Sequence, residues 1–518
     1  MALFAVALAL RLWGLDSKSL WVDEALTAWH STFPLTTLWT EPITNKPPFY
    51  YWLTHLFWSP GDSVFRLRLP AALLGATSVV LAAALGAQLT GISHRVTTAT
   101  AQSGLAPRPG EKSGLDSRKG AFWLASLMLV CDVNLHYSQE ARHYMLLSVG
   151  YLLLALAGAR WLHPVRAGSS RHDLGSLAIW GLGSLLLVHA HPVGWLYLAA
   201  GVLALTLARI SHRVTTAPAV EHEHDSLFLF RPLLVSLFAM ATLILWFPVG
   251  LGQASHSFDW LRQPSPLQAF YEWISVFGAR HLALIGGAPL AMAACLLLML
   301  VALGGMLSFA WRRRPAQGIL LLAMLLLPPL LLWLAGLFKP VYMLRTLTPL
   351  HSLAMTGLML AILTPSRRNI QTIGGLLLAA LLISASGAYA LRYQKEDWHG
   401  LTQRIADNSK ASGPAASALL ICENNLYYPL WFYLQDQMPP VMTLDRRRPR
   451  VWIRLAAHDR WRPLYPQMMP LKALWIIDRY RHCPPDVARM PRLLTGRPAV
   501  PDVTWQGYAL TATRWRIE

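Results

Sequence analysis

Two neighbouring carboxylates, Asp23 and Glu24, lie in LWVDEALTAWH (Leu20 to His30), about ten residues past the first apolar stretch. A helix end needs no such pair, and a charge path through a bilayer would place its acids deeper. What such a pair can do is take a proton from an incoming hydroxyl or amine, as a general base. Cations stand in three other short motifs: Lys46 in NKPPFYYW, Arg142 beside Glu140 and Tyr144 in YSQEARHY, and Arg345 in MLRTLTP. Arginine grips phosphate oxygens through two bonds at once, and lysine offers a point charge. His189 and His191 add imidazoles, and Tyr50, Tyr51 and Trp52 supply faces that can cover a sugar or a prenyl chain.

Each feature alone has a plainer meaning. Asp-Glu near a membrane surface is often just solvated. Arg142 can pair with Glu140 or snorkel to lipid headgroups, and Arg345 and Lys339 can anchor a helix at the interface. Histidines beside a proline break are more often packed than metal-bound. Together, acids, cations and aromatics at one depth are costly beside membrane segments and point to a task. The combination suits a transfer in which a lipid phosphate leaves and an acceptor attacks.

The elements that must position these residues are membrane helices. Of 518 residues, 54% are hydrophobic and 14% charged, where a soluble chain carries about a quarter charged. Runs such as AALLGATSVVLAAALGAQL (Ala71 to Leu89) hold no charge and are long enough to span hydrocarbon. About eleven spans are expected, near residues 2–14, 67–90, 121–137, 144–162, 175–190, 192–209, 232–250, 284–311, 317–337, 345–363 and 370–391. Pro192 and Gly194 divide the fifth from the sixth. The opening ALFAVALALRLWGL lacks a small-residue cleavage pattern and reads as a short first span rather than a signal peptide. A start site further upstream would account for its length.

The net charge of +19 is spread among the spans, so membrane topology and anionic lipid explain it better than nucleic acid. With the amino end in the cytoplasm, the even-numbered connections hold Arg95, Lys112, Arg160, Arg209, the Arg312–Arg314 run, Arg367 and Arg368. The motif-bearing loops, including residues 15–66, then face outward, as does the tail. Two domains are expected: 1–391 in the membrane, with the catalytic loop 15–66, and 392–518 outside it.

The tail alternates apolar runs and turns (SALLICENN, PPVMTL, ALWIID) and reads as a small α/β domain. Four cysteines are too few for a disulfide scaffold. Cys422 and Cys483 could pair in an extracytoplasmic tail; single packed thiols fit equally well. The repeat ISHRVTTA, at Ile92 and again at Ile210, reads as two basic membrane-edge segments. The RRRPR run at Arg446 to Arg450 reads as a solvated loop.

The motifs resemble those of GT-C glycosyltransferases, in the group of protein O-mannosyltransferases and aminoarabinose transferases (glycosyltransferase family 39-like). The matching stretches are LRLWGLDSKSLWVDEA (Leu10 to Ala25), NKPPFYYWLTHLF (Asn45 to Phe57), FRLRLPAALLG (Phe65 to Gly75), YSQEARHYML (Tyr137 to Leu146) and Arg345 to Pro349, with YQKEDWHGLTQRI (Tyr393 to Ile405) a looser match. The resemblance implies an all-α polytopic membrane protein with a small C-terminal α/β extracytoplasmic domain. It implies transfer of a sugar from a polyprenyl-phosphate donor to a glycan, lipid or protein acceptor on the outer face of the inner (plasma) membrane, with inversion in one displacement. In that scheme Asp23 acts on the acceptor and Glu24 positions it or shares the role. Lys46, Tyr50, Glu140, Arg142, Tyr144, His191 and Arg345 bind donor or acceptor. No cofactor is dictated; a divalent metal is compatible, although Asn45 stands where some relatives carry an acid. The hydrophilic insertion at Ser93 to Gly120 falls on the opposite side. The main rival is a polytopic transporter or lipid-linked sugar flippase, whose sites lie nearer the midplane on broken helices in paired halves; no paired halves stand out here.

Overall fold

The computed structural model describes residues 1–41, 43–91, 116–162, 170–215, 226–250, 262–312, 314–412, 417–444, 451–454, 462–464, 471–480 and 482–518. The first ISHRVTTA copy, the end of the second, nearly all of the 93–120 insertion and the RRRPR run lie outside these residues. The chain forms two compact units. One comprises Met1–Trp13, Pro34–Leu53 and Arg68–Tyr393; the other comprises Gly14–Phe33, Thr54–Leu67 and Gln394–Glu518.

The first unit is helical. Among the described residues seven helices are long and apolar enough to cross a membrane: Val64–Thr90, Tyr144–Trp161, Gly194–His212, Arg280–Arg312, Pro315–Gly336, Leu344–Leu363 and Arg368–Arg392. Three shorter apolar helices accompany them, Ala2–Leu12, Leu174–Ala190 and Phe230–Ala241. The protein is therefore a polytopic helical membrane protein. Burial sorts the helices. In their most apolar 18-residue stretches, 94% of the residues of Leu344–Leu363 and 89% of those of Tyr144–Trp161 are buried, so both helices are central, whereas the share for Arg368–Arg392 is 28%. That last helix leaves Ile370, Ile373, Leu376 and Leu377 exposed, as lipid tails permit. Between spans, close packing replaces the hydrophobic drive. A Cβ on Gly183 would sit 2.8 Å from the Gly150 carbonyl, so these two helices touch through backbone.

The helices depart from the expected spans at two places. The stretch expected as one span over 121–137 is two helices, Ser117–Leu129 and Asp132–Ser138. The break starts the second helix at Asp132, whose carboxylate accepts the N–H groups of Val133, Ala279 and His281; an ionised group held there by three donors outweighs helix continuity. The expected span at 232–250 leaves helix after Ala241 and resumes at 247. There Thr242 bonds the Ala239 carbonyl and the His189 ring at 2.9 Å. The break at HAHPVGW falls where proline predicts it, between helices Ser170–Ala190 and Gly194–Thr215.

The second unit is built on a seven-stranded sheet: β1 (Ser417–Ile421), β2 (Val441–Leu444), β3 (Val451–Arg454), β4 (Arg462–Leu464), β5 (Ala473–Arg479), β6 (Ala499–Gly507) and β7 (Leu510–Ile517), in the order β4-β3-β2-β1-β5-β7-β6. The central strand β1 pairs in parallel with β2 and β5, and the outer pairs are antiparallel. All five β1 residues are buried, as a continuous apolar run between covered faces requires. Helix Val22–Ser31 belongs to this unit. Its Trp29 meets Tyr427, Tyr428 and Trp431 at centroid distances of 5.9, 5.8 and 4.9 Å, each such pair adding about 0.5–1.5 kcal/mol beyond area burial. Trp58 stacks on Phe432 at 5.7 Å.

Cys422 and Cys483 form a disulfide, which decides between the two fates open to these thiols. It ties the residue after β1 to a residue just beyond β5, 61 positions apart. Cys422→Ser is expected to lower the stability of this unit by about 2–5 kcal/mol. Limited proteolysis of the full-length protein across a temperature series, with and without reductant, reads this; equal resistance in both would remove the bond from the stability account.

Candidate active site

In the helical unit three cations converge on one pair of imidazoles. His143 and His191 stack with centroids 4.5 Å apart and planes 24° from parallel. Burial holds both rings well below the usual histidine range, and the charges of Lys46, Arg142 and Arg345 push in the same direction. The rings are therefore neutral at physiological pH, and the positive charge acting on them comes from the lysine and the two arginines. Each cation arrives on a different element. Lys46 follows a turn in which its own N–H bonds the Thr44 hydroxyl at 3.2 Å. Arg142 leaves a tight turn in which its N–H bonds the Glu140 carbonyl at 2.7 Å. Arg345 sits in the short helix Leu344–Leu347, fixed by Tyr197, whose hydroxyl donates to the Thr346 carbonyl at 2.7 Å. Tyr50 sets its ring edge against His143 at 6.4 Å, and the Arg142 guanidinium lies 6.0 Å from the Tyr144 ring centre. The Tyr137 hydroxyl lies within electrostatic range of Glu140, Tyr144, Arg280 and Arg345.

The helical unit thus gathers Lys46, Tyr50, Glu140, Arg142, Tyr144, His191 and Arg345, together with His143, Tyr137 and Arg280, which the motif analysis did not single out. His143 lay inside the quoted YSQEARHY. Arg280 gives no sequence signal. Such a cluster can hold an anion: Arg142 is 2% exposed, and buried guanidinium groups form strong charge-assisted bonds with phosphate oxygens.

Asp23 and Glu24 lie in the other unit, in the first turn of helix Val22–Ser31. There they favour the helix dipole, and they do different work. Glu24 is fully buried and accepts a 2.8 Å bond from Lys395 Nζ, the two side chains being 0% and 2% exposed. Asp23 is half-buried and lies close enough to Glu396 to raise its pKa. Burial pushes the Glu396 carboxyl up first; its bonds from the Trp398 indole at 2.6 Å and from Arg479 at 3.2 Å pull it back, and Asp23 adds to the rise. Lys395 and Glu396 stand in the quoted YQKEDWHG, where the sequence offered no reason to choose them.

Lys395→Met leaves Glu24 buried against an apolar side chain. The expected cost is about 3–5 kcal/mol, read as earlier thermal unfolding of the purified protein, with recovery in the double variant Glu24→Gln, Lys395→Met. Additive losses in the double variant would show that the pair is not the coupled unit.

Among the described residues no group of three or more His, Cys, Asp or Glu is arranged to hold a metal ion.

By sequence the chain matches no family profile and no curated protein. By structure it is similar to ArnT from Cupriavidus metallidurans bound to undecaprenyl phosphate, with a TM-score of 0.55, 15% identity, and 99% of this chain and 97% of that one covered. The apo form of the same protein gives 0.54 and 14% over the same shares. A mycobacterial arabinofuranosyltransferase, AftD, aligns over 80% of this chain and 30% of its own at a TM-score of 0.41, too low to argue from. Alignment over nearly the whole of both chains shows that this protein has the GT-C glycosyltransferase fold.

Proposed function

From that fold we propose that the protein is an integral-membrane glycosyltransferase. It moves a sugar from a polyprenyl-phosphate donor to an acceptor on the extracytoplasmic face of the plasma membrane, inverting the anomeric centre in one displacement. The observation that carries the reading is the convergence of Lys46, Arg142 and Arg345 around two neutral imidazoles. Cations gathered among apolar helices favour an anion beside them, and a prenyl phosphate can reach such a place along its own lipid tail. The structural neighbour solved with undecaprenyl phosphate is in keeping with this.

The chemistry follows from charge development. As the bond from the anomeric carbon to the phosphate oxygen lengthens, negative charge grows on the phosphate. Preorganised cations stabilise that charge without reorganisation, commonly the largest catalytic term. Asp23 takes the proton of the attacking hydroxyl or amine, while Glu24, neutralised by Lys395, fixes the helix that carries it. Tyr50 and Tyr144 line the cationic site. The outward orientation draws support from the disulfide of the tail unit, since such bonds persist in oxidising compartments.

The test is mass spectrometry of envelope glycolipids and glycoproteins from a deletion strain beside its parent. It is followed by reconstitution of the purified protein with a polyprenyl-phosphate sugar donor and the acceptor so identified. A glycosylated species missing from the deletion strain, and release of free polyprenyl phosphate in vitro, are expected. Unchanged envelope glycans, or sugar movement across the bilayer without cleavage of the donor, would overturn the reading.

A further inference from the structure

Four buried titratable residues of the helical unit form one unbroken file of hydrogen bonds. Asp132 Oδ2 meets His281 Nδ1 at 2.8 Å, His281 Nε2 meets His136 Nδ1 at 3.0 Å, and His136 Nε2 meets Glu140 Oε1 at 3.0 Å. None of the four is more than 5% exposed. The far end is anchored by backbone. Gly278 and Ala279 are consecutive left-handed residues, at φ 96° and 67°, and an alanine there costs about 1–2 kcal/mol. The turn they make aims the N–H groups of Ala279 and His281 at Asp132, at 3.1 and 3.2 Å.

Proton counting is decisive here. Asp132 receives three backbone N–H groups and one imidazole nitrogen, so it is a carboxylate and His281 Nδ1 bears hydrogen. The three gaps of the file each need one hydrogen, three in all, and two neutral imidazoles bring only two. We propose that the file carries one proton beyond two neutral imidazoles, and that His136 and His281 are positioning residues which set the charge of Glu140 during sugar transfer. At rest His281 holds hydrogen on both nitrogens, and His136 donates from Nε2 to the Glu140 carboxylate. When the proton between the rings moves to His136 Nδ1, the one on His136 Nε2 moves to Glu140 Oε1. Both imidazoles are then neutral, Glu140 is a carboxylic acid, and no proton has been exchanged with water. The negative charge of Glu140 is cancelled by the positive charge that left the imidazole pair, so only Asp132 remains charged.

This inference rests on the glycosyltransferase reading and gives Glu140 a reason to stand in the Arg142 motif. A carboxylate beside a departing phosphate repels it; one that becomes neutral as the phosphate gains charge does not. Facing the imidazole pair are the phenols of Tyr137, Tyr389 and Tyr393, with centroids 4.8, 4.9 and 4.8 Å from His136. Cys131 and Cys295 lie within electrostatic range of Asp132, and Arg280 precedes His281. Phenols and thiols ordinarily titrate above neutrality. Arg11 and His351 bond Asn134, two positions along the helix from Asp132, and His351 also lies within electrostatic range of Asp132.

The experiment follows polyprenyl-phosphate release against pH, together with nitrogen-15 NMR of labelled histidines in the intact protein. His136→Gln keeps a donor toward Glu140 but cannot relay a proton, and His281→Asn keeps a donor toward Asp132 but cannot reach His136. Wild-type turnover is expected to fall at alkaline pH, where the file loses its extra proton; both variants are expected to lack that fall and to lower kcat by about 10–100-fold, the scale of one proton-transfer group, with the donor KM nearly unchanged. Asp132→Asn, which removes the charged acceptor of His281 Nδ1, should lower kcat likewise. The wild-type pair should show three protonated ring nitrogens near neutrality. Two protonated nitrogens beside an ionised Glu140, or folded His136→Gln protein with a wild-type profile merely scaled down, would overturn the relay. If Asp132→Asn does not fold, His136→Gln decides, since it leaves the anchoring turn intact. Wild-type protein that releases no polyprenyl phosphate would instead sink the glycosyltransferase reading, and the nitrogen count would still judge the relay.

Discussion

Asp23→Asn protein is expected to accumulate in the membrane, to melt near the wild-type temperature and to lose about 10²–10⁴-fold in kcat, the range for removal of a general base. Fold and activity separate here because Asp23 and Glu24 do different jobs. Glu24 is buried in an ion pair with Lys395, so its loss falls on stability. Asp23 is half-buried, and its amide analogue keeps the shape of the first helical turn while removing the basic oxygen. The neighbouring Glu396 does not replace it: burial and the negative charge of Asp23 both favour the protonated form of that carboxyl. The measurement is turnover of the reconstituted enzyme with saturating donor and acceptor. Wild-type turnover would remove Asp23 from the chemistry. Vectorial sugar movement that survives Asp23→Asn would point instead to a transporter.

Arg345→Ala and Arg142→Ala are each expected to cost about 10²-fold in kcat/KM for the donor, comparable to deleting one charge-stabilising donor at a transition state. The two need not add, because both act on the same pair of rings, as does Lys46, and residues that share a partner couple. His143→Gln separates charge from packing. Its ring is neutral, so the variant should disturb donor use far less than either arginine variant. Binding of a polyprenyl phosphate to the detergent-solubilised protein, measured at two salt concentrations, reports on the cations directly. Equal affinity in wild type and both arginine variants would take phosphate recognition out of this cluster.

Much of the architecture could be read from residue patterns because lipid leaves few options. An apolar run of span length has to be helix, since its backbone finds no partner in hydrocarbon, and 64–90, 144–161, 315–336 and 368–392 are helical as expected. The alternating tail segments became β1, β2 and β5. The span expected at 121–137 divides into two helices for a local reason. A hydropathy average passes over one aspartate, and the donors that make Asp132 tolerable come from residues 279–281, well over a hundred positions away. The spacing is nonetheless legible: Asp132, His136 and Glu140 recur at the four-residue interval of a helix, although the helix itself ends at Ser138. What spacing does not reveal is His281, the link that makes the three a file.

Residue types and order alone determined that this chain lies in a membrane, that it carries acids, cations and aromatics suited to transfer from a lipid phosphate, and that its tail supplies α/β structure. Only tertiary structure decided which charges meet. It set Lys46, Arg142 and Arg345 around one imidazole pair, gave Glu24 to Lys395, and bonded Cys422 to Cys483. The reason is range. Helix and strand formation depends on neighbours within about a turn or two, which composition and period report, whereas a buried charge survives only by finding partners across the fold, and no local pattern records where those partners come from.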